Sequence, residues 1–336
     1  MKKTIIDVAN DLGLSPSTIS KVVNNKGRVS VETRARVLKY VHEIGYVADN
    51  SARILKSKKS WTIGVIYSDI SLIGFEHPFF SRILQSFKNY MAIEGYDIVL
   101  IVSKLGKNEL TYLEWCKNKK VDGVLIVMGN INNPNIIEVV NSDYPCVSTD
   151  IVMPNLQSII SDDYQGVQIA LDYAQTLGFS NISIISGPTT SRSFVNRIEA
   201  FKTEMHKRGL MFTEEDVVIT NGFGDDSGYQ AALTLIEQKQ SLPEIILVFS
   251  DVLAFGVIRA LEYKQIKVPE DISIIGYDDI DFSRHFIPAL TTISQDTQAM
   301  GLIAAQALLK TIKEGKIKKQ EVIKVPVKLQ KRSTTP

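Results

Sequence analysis

The sequence predicts an α/β protein in which a small all-α head precedes two doubly wound parallel-sheet subdomains. Three observations lead there. The first 46 residues carry three short helical patterns; from Trp61 onward apolar strand-like runs alternate with amphipathic helices; and charge is divided between the two regions. Residues 1–60 hold 12 Lys/Arg against 5 Asp/Glu, whereas the remainder holds 26 against 32. A cationic head on an anionic body suggests a polyanion-binding module joined to a part with a different task.

The bulk properties narrow the class. At 336 residues, two or three domains are expected, and 22% charged with 44% hydrophobic residues is the composition of a soluble globular protein. No apolar run approaches the roughly 20 residues of a membrane span. The start, Met1-Lys2-Lys3-Thr4-Ile5-Ile6-Asp7, lacks the apolar stretch of a signal peptide, so a cytoplasmic protein is expected. Cys116 and Cys146 make neither a disulfide framework nor a metal cluster and are expected as buried small hydrophobes. No cofactor is implied.

In the head, Thr4 to Asp7 forms a capping-box pattern opening the first helix, which Gly13 closes. Ser15-Pro16 opens the second, with serine as N-cap and proline at the first helical position, and Asn24–Gly27 ends it. Ser30 caps the third, whose apolar Val31, Ala35, Leu38, Val41 and Ile44 recur at helical spacing before Gly45. Three helices with a tight turn between the first two predict a helix-turn-helix.

In the body, strands are predicted over 62–67, 96–102, 121–127, 145–149, 158–161, 181–186, 216–220, 244–249, 272–277, 291–294 and 321–329. Amphipathic helices such as 79–94, 164–177, 194–208 and 252–263 stand between them. Strands apolar at every position, alternating with helices, indicate parallel sheets covered on both faces. So many strands exceed one sheet and predict two. The connection 47–60 has neither Gly nor Pro; a helix of that length is marginal alone in water and could fold conditionally.

The runs Thr4–Ala9, Leu14–Asn24 and Val31–Tyr46, with Asn50, Ala52, Arg53 and Leu55, closely resemble the LacI/GalR family of bacterial repressors. The likeness continues through Val121-Asp122-Gly123-Val124, Gly187-Pro188, Val268–Asp278 and Leu290–Ile293, so it spans essentially the whole chain. It implies a helix-turn-helix domain at 1–46, a hinge at 47–60, and a sensor of periplasmic sugar-binding-protein type at 61–336. The sensor's N-subdomain is expected at about 61–160 plus 291–320, its C-subdomain at about 161–290 plus 321–332.

The resemblance implies that the helix opening at Pro16 enters the major groove, with Pro16, Ser17 and Lys21 at base edges. Family members commonly carry arginine where Lys21 stands; lysine lacks the planar fork, which puts tight discrimination there in doubt. Thr4, Ser15, Thr18, Ser20 and Asn24 are assigned to phosphates, Ser15 serving also as a cap. In the hinge, Asn50, Ala52, Arg53 and above all Leu55 are assigned to DNA, the leucine wedging into a minor-groove step. Two hinges and two recognition helices require a homodimer on a pseudo-palindromic operator, and no heptad zipper follows the strand 321–329. One closure state of the sensor would let the hinges fold on the operator, and the other would separate them.

Effector-binding candidates combine hydroxyl-bonding groups and aromatics at the C-terminal ends of predicted strands, where open α/β sheets bind ligands. They are Asp69, Phe79, Phe80, Asp150, Ser191, Ser193, Arg197, Phe223, Asp251 and Asp278. Asp251 has a rival role as a helix cap, and Asp162 is expected to order a crossover near the hinge. Glu76 and His77 are expected at the pocket entrance. A carboxylate-rich set favours a sugar, with a nucleobase as the second reading and a protein co-regulator as the third. No nucleotide, metal or nucleophile motif supports an enzyme, and a transport protein would have no use for the cationic head.

Overall fold

The computed structural model describes residues 3–24, 27–46, 59–67, 76–102, 104–239, 241–315 and 319–336. The chain divides into two compact units, Met1–Ser60 and Trp61–Pro336.

The first unit holds α1 (Ile5–Leu12), α2 (Pro16–Val23) and α3 (Val31–Glu43). Each starts on a hydroxyl cap. The Asp7 amide donates to Thr4 Oγ1 while the Thr4 amide donates to the Asp7 carboxylate at 2.7 Å, closing the capping box. The Thr18 amide donates to Ser15 Oγ at 3.1 Å, and the Thr33 amide to Ser30 Oγ at 3.2 Å. Gly13, at φ 63°, ends α1 in a left-handed turn that a side chain would strain. Val8, Ala9, Ile19, Val22 and Val37 form the buried core. Asp11 ties α1 to α3: it pairs with Lys3 at 2.5 Å and accepts from the Tyr40 hydroxyl of α3 at 2.6 Å.

The second unit contains, in order, β1 (Thr62–Tyr67), α4 (Pro78–Ile93), β2 (Asp97–Ile101), β3 (Lys104–Leu105), β4 (Asn108–Glu109), α5 (Tyr112–Lys119), β5 (Gly123–Met128), α6 (Pro134–Asn141), β6 (Cys146–Ser148) and β7 (Gln157–Ser161). There follow α7 (Asp163–Thr176), β8 (Ile182–Ser186), α8 (Arg192–Lys207), β9 (Val217–Ile219), α9 (Asp225–Gln238), β10 (Ile245–Val248), α10 (Asp251–Tyr263) and β11 (Ser273–Asp278). Last come β12 (Thr292–Gln295), α11 (Thr297–Glu314), β13 (Glu321–Val325) and β14 (Val327–Gln330). Two sheets result, in strand order β13-β7-β6-β5-β1-β2 (lobe 1) and β14-β12-β11-β10-β8-β9 (lobe 2). Every neighbouring pair in them is parallel except β12 with β14.

The apolar runs explain the layering. All six positions of β5 are buried. In lobe 1, Val65 and Leu125 pack on one face with α4 and α11, Ile66 and Ile126 on the other with α5 and α6. Lobe 2 repeats the arrangement: Ile184 and Leu247 lie against α7 and α8, Ile185 and Ile246 against α9 and α10. Cys116 and Cys146 are both buried. No helix among the described residues is long and apolar enough to cross a membrane.

The subdomain boundaries differ from the expectation in two places. The run 321–329, expected as one strand of the C-subdomain, is two strands in different sheets: β13 pairs with β7 in lobe 1, β14 with β12 in lobe 2. Pro326 stands between them and has no N–H to continue a ladder. The strand over 291–294, expected in the N-subdomain, is β12 of lobe 2. There it lies parallel to β11 and buries Ile293 in the lobe 2 core. The chain therefore crosses between lobes three times, at Asp162, Asp296 and Pro326. Asp162 caps α7 by accepting from the Gln165 amide, donates its own amide to the Val325 carbonyl at 3.0 Å, and pairs with Lys324 at 3.3 Å. It joins two crossings, as expected of a residue near the hinge.

Candidate functional site

A cavity of about 310 Å³ opens between the lobes at the carboxyl ends of both sheets. From lobe 1 come Met128 ending β5 and Gly129 after it, Thr149 and Asp150 after β6, Ser161 ending β7, and His77, Phe79 and Phe80 at the start of α4. From lobe 2 come Asp163, the stretch Thr189–Arg197 after β8, Phe223 after β9, Phe249 and Ser250 after β10, Asp278 ending β11 and Gln295 ending β12.

Of the candidates named from sequence, Phe79, Phe80, Asp150, Ser191, Ser193, Arg197, Phe223 and Asp278 all line this cavity. The adjacent phenylalanines pack edge to face at 5.0 Å; Phe79 also joins the lobe 1 core, so one helical turn serves core and cavity together. Ser191 Oγ and Ser193 Oγ lie 3.0 Å apart, and Phe223 rests on Phe194 at 5.9 Å. Asp69 lies outside the described residues.

Asp251 is the exception, and its place is a correction. It is wholly buried behind the cavity, where its carboxylate accepts from Thr292 Oγ1 at 2.5 Å, Ser283 Oγ at 2.6 Å and the Ile280 amide at 3.1 Å. A carboxylate holding three donors from two other segments fixes the strand ends around Asp278 and has no oxygen turned to a ligand. The cavity is lined instead by its neighbour Ser250, the N-cap of α10.

The wall is organised by a buried ionic cluster that sequence reasoning missed. Asp163, at the first position of α7, accepts from Arg192 Nη1 at 3.1 Å, Arg197 Nε at 3.0 Å and Asn196 Nδ2 at 3.4 Å. Arg197 also donates to the Phe249 carbonyl at 2.7 Å and stacks 3.5 Å over the Tyr277 ring. Arg192 donates from Nε to the Asp150 carbonyl at 2.9 Å, across the cleft. Gln295 donates to Asp278 Oδ1 at 2.6 Å. Asp278 itself sits at φ 124° and Asp279 at φ 55°, backbone that non-glycine residues adopt at a cost and that concentrates at functional sites.

Desolvation sets the protonation of the remaining acids. Burial pushes the Asp150 carboxyl up to about 6, against the pull of Arg192. Burial likewise raises Asp278, and it raises Asp251, where the nearby Asp278 charge adds to the effect. The folded state therefore holds protons that the unfolded chain has released above its carboxylate value of about 4. For Asp150 this stabilising contribution is complete below that value and is lost as pH rises through about 6. Denaturant titrations between pH 5 and 8 should show this part of the stability falling as pH rises, and Asp150→Asn should flatten the slope. A slope that steepens in the variant would contradict the assignment.

In the head, α2 buries Ile19 and Val22 and leaves Pro16, Ser17, Lys21 and Asn24 exposed along its other side. Ser15 Oγ lies 2.8 Å from both Ser17 Oγ and Thr18 Oγ1, and Asn24 Nδ2 donates to the Ser20 carbonyl at 2.9 Å. Thr4 is exposed, with its hydroxyl on Asp7. Hydroxyls, one lysine and a helix N-terminus on one open face suit phosphate and base edges. Asn50, Ala52, Arg53 and Leu55 lie outside the described residues. Among the described residues no cluster of three or more His, Cys, Asp or Glu could hold a metal ion.

Comparison with known proteins adds identity to this geometry. Residues 4–49 match the model for bacterial regulatory proteins of the lacI family, and residues 171–335 the periplasmic binding protein-like domain. The HTH-type transcriptional regulator DegA of Bacillus subtilis is 30% identical over 100% of this chain and 99% of its own. The transcriptional repressor PurR of Histophilus somni is 32% identical over 96% of each. Among solved structures, the Lac repressor dimer bound to operator and the anti-inducer ONPF superposes with a TM-score of 0.80 at 26% identity, covering 100% of this chain and 99% of that one.

Proposed function

The chain belongs to the LacI family of bacterial regulatory proteins and is a DNA-binding transcriptional regulator, not an enzyme; from that premise we propose that it represses genes of carbohydrate use under control of a sugar. The observation that carries the effector class is the cavity wall. Asp150 and Asp278 bring carboxyls to it, Ser191 and Ser193 bring hydroxyls, and Phe79, Phe80 and Phe223 supply flat apolar faces. Carboxylates accept from vicinal hydroxyls while aromatic rings cover C–H faces, the combination a sugar ring asks for. The same rings suit a nucleobase, which the relationship to PurR keeps as the second reading.

In this reading Pro16, Ser17 and Lys21 reach base edges, and Thr4, Ser15, Thr18, Ser20 and Asn24 hold phosphates. Asn50, Ala52, Arg53 and Leu55 complete the contact from the hinge. The regulator works in the cytoplasm as a homodimer on a pseudo-palindromic operator, and Phe282, exposed on lobe 2 over the partly buried Phe255 and Phe286, is the kind of group a second copy covers.

The test has two stages. Selection from a random duplex pool should return a pseudo-palindrome, and Lys21→Ala should weaken binding to it by about 1–3 kcal/mol if the lysine bonds a base. Affinity for that duplex should then change in the presence of one sugar from a panel and stay constant with free nucleobases. A response to nucleobases alone would replace the sugar, and no response to either would turn attention to a protein co-regulator.

A further inference from the structure

The two lobes are joined across the cleft by arginines reaching in opposite directions. Arg192, on lobe 2, donates from Nε to the Asp150 carbonyl of lobe 1 while Nη1 holds Asp163. Arg82, one turn along α4 of lobe 1 from the cavity-lining Phe79, donates to the Asp279 carbonyl of lobe 2 at 3.0 Å and pairs with Asp281 at 2.5 Å. Both ends of each bridge belong to the chain.

The bridges differ in strength. The Arg82 pair is on the surface, with side chains 36% and 66% exposed, and such pairs contribute little. Arg192 is 21% exposed and anchored on a carboxylate only 4% exposed, in surroundings where a charged donor binds more firmly. Arg192 also lines the cavity, as does the side chain of Asp150 whose carbonyl it holds. That side chain accepts from the Gly129 amide at 3.2 Å, so a ligand that bonds the Asp150 carboxylate acts on the segment at the far end of the bridge.

We propose that Arg192 is a positioning residue that ties lobe closure to ligand contact: it struts the closed cleft through the Asp150 carbonyl, and an effector alters closure by working on that strut. The outer Arg82 bridge adds a weaker, salt-sensitive hold. This rests on the reading of the cavity as the effector site, but the strut is testable with no ligand present, so its failure and the failure of the sugar reading are separable.

Spin labels attached through Asn132→Cys in lobe 1 and Asn221→Cys in lobe 2, both exposed, report the lobe separation of the full chain; the two native cysteines are buried. In the Arg192→Ala background the distance distribution should move to longer values by several ångströms. Arg192→Lys, which keeps the charge but offers one ammonium in place of two separated nitrogens, should give most of the same shift with little change in melting temperature. Arg82→Ala should give a smaller shift, one that 1 M salt reproduces in the parent. A distribution unmoved in both Arg192 variants would overturn the proposal, and so would a fall in melting temperature without any change of distance, since that is what a purely structural bond would produce.

Discussion

Asp163→Ala is expected to destabilise the sensor by about 3–5 kcal/mol, because it removes one partner of a buried ion pair and leaves the other uncompensated. The geometry puts the effect at that scale. The Asp163 and Arg197 side chains are 4% and 5% exposed, so water cannot replace the lost carboxylate. Arg197 keeps the Phe249 carbonyl and the Tyr277 ring, neither of which carries a full negative charge. Asp163→Asn, which retains an acceptor, should fall between alanine and the parent. The combination Asp163→Ala with Arg197→Met should recover a large part of the loss, because replacing both members of a buried pair by apolar groups is often close to neutral. Urea unfolding at pH 7 measures all three. A loss under about 1 kcal/mol for alanine would mean that the pair is solvated and behaves as a surface bridge. The consequence reaches the site, since the same carboxylate holds Arg192 and Asn196 on the cavity wall.

That cluster also marks where sequence reading stopped. Parallel strands buried on both faces leave continuous apolar runs, so β1, β5, β8, β10 and β11 stand out without a structure. The end of the chain did not read so well. A run such as 321–329 carries the signature of strand but not the address of its sheet, which is a long-range property of register with β7 and β12. The site residues failed in a narrower way. At the start of α7 the N-cap Asp162 serves the crossover and the next residue, Asp163, lines the cavity; at the start of α10 the N-cap Ser250 lines the cavity and the next residue, Asp251, serves the framework. Successive residues at a helix start point in directions about 100° apart, and which one meets the ligand depends on how the helix docks on its sheet. Two acids or a serine and an acid in the same local pattern therefore take opposite roles, and local spacing does not distinguish them. The residues expected at strand ends that do line the cavity, such as Asp150 just beyond β6 and Asp278 ending β11, stand where strand direction fixes the way the side chain falls.

Docking of helix on helix leads to the second large effect. Gly256 of α10 and Gly228 of α9 face each other's backbone: a Cβ on Gly256 would lie 1.8 Å from the Asp225 carbonyl oxygen, and one on Gly228 2.1 Å from that of Leu253. Two terms compete in Gly256→Ala. Helix propensity favours alanine by about 1 kcal/mol. Overpacking opposes it by about 3 kcal/mol, the upper end of its usual range, since the obstructing atoms are backbone and cannot rotate away. The net expectation is a loss of about 2 kcal/mol, read as a fall in melting temperature on the order of 5 °C. Gly224→Ala is the control, because nothing lies within 4 Å of a Cβ there. The loss should not stop at stability. Phe223 immediately precedes α9 with its Gly224 cap, and Ser250 caps α10, so forcing the helices apart moves two cavity-lining residues together. Amide exchange in the segments around residues 223 and 250 should therefore quicken in Gly256→Ala beyond what global unfolding accounts for. If the melting temperature rises, propensity has won and the two helices are not in backbone contact.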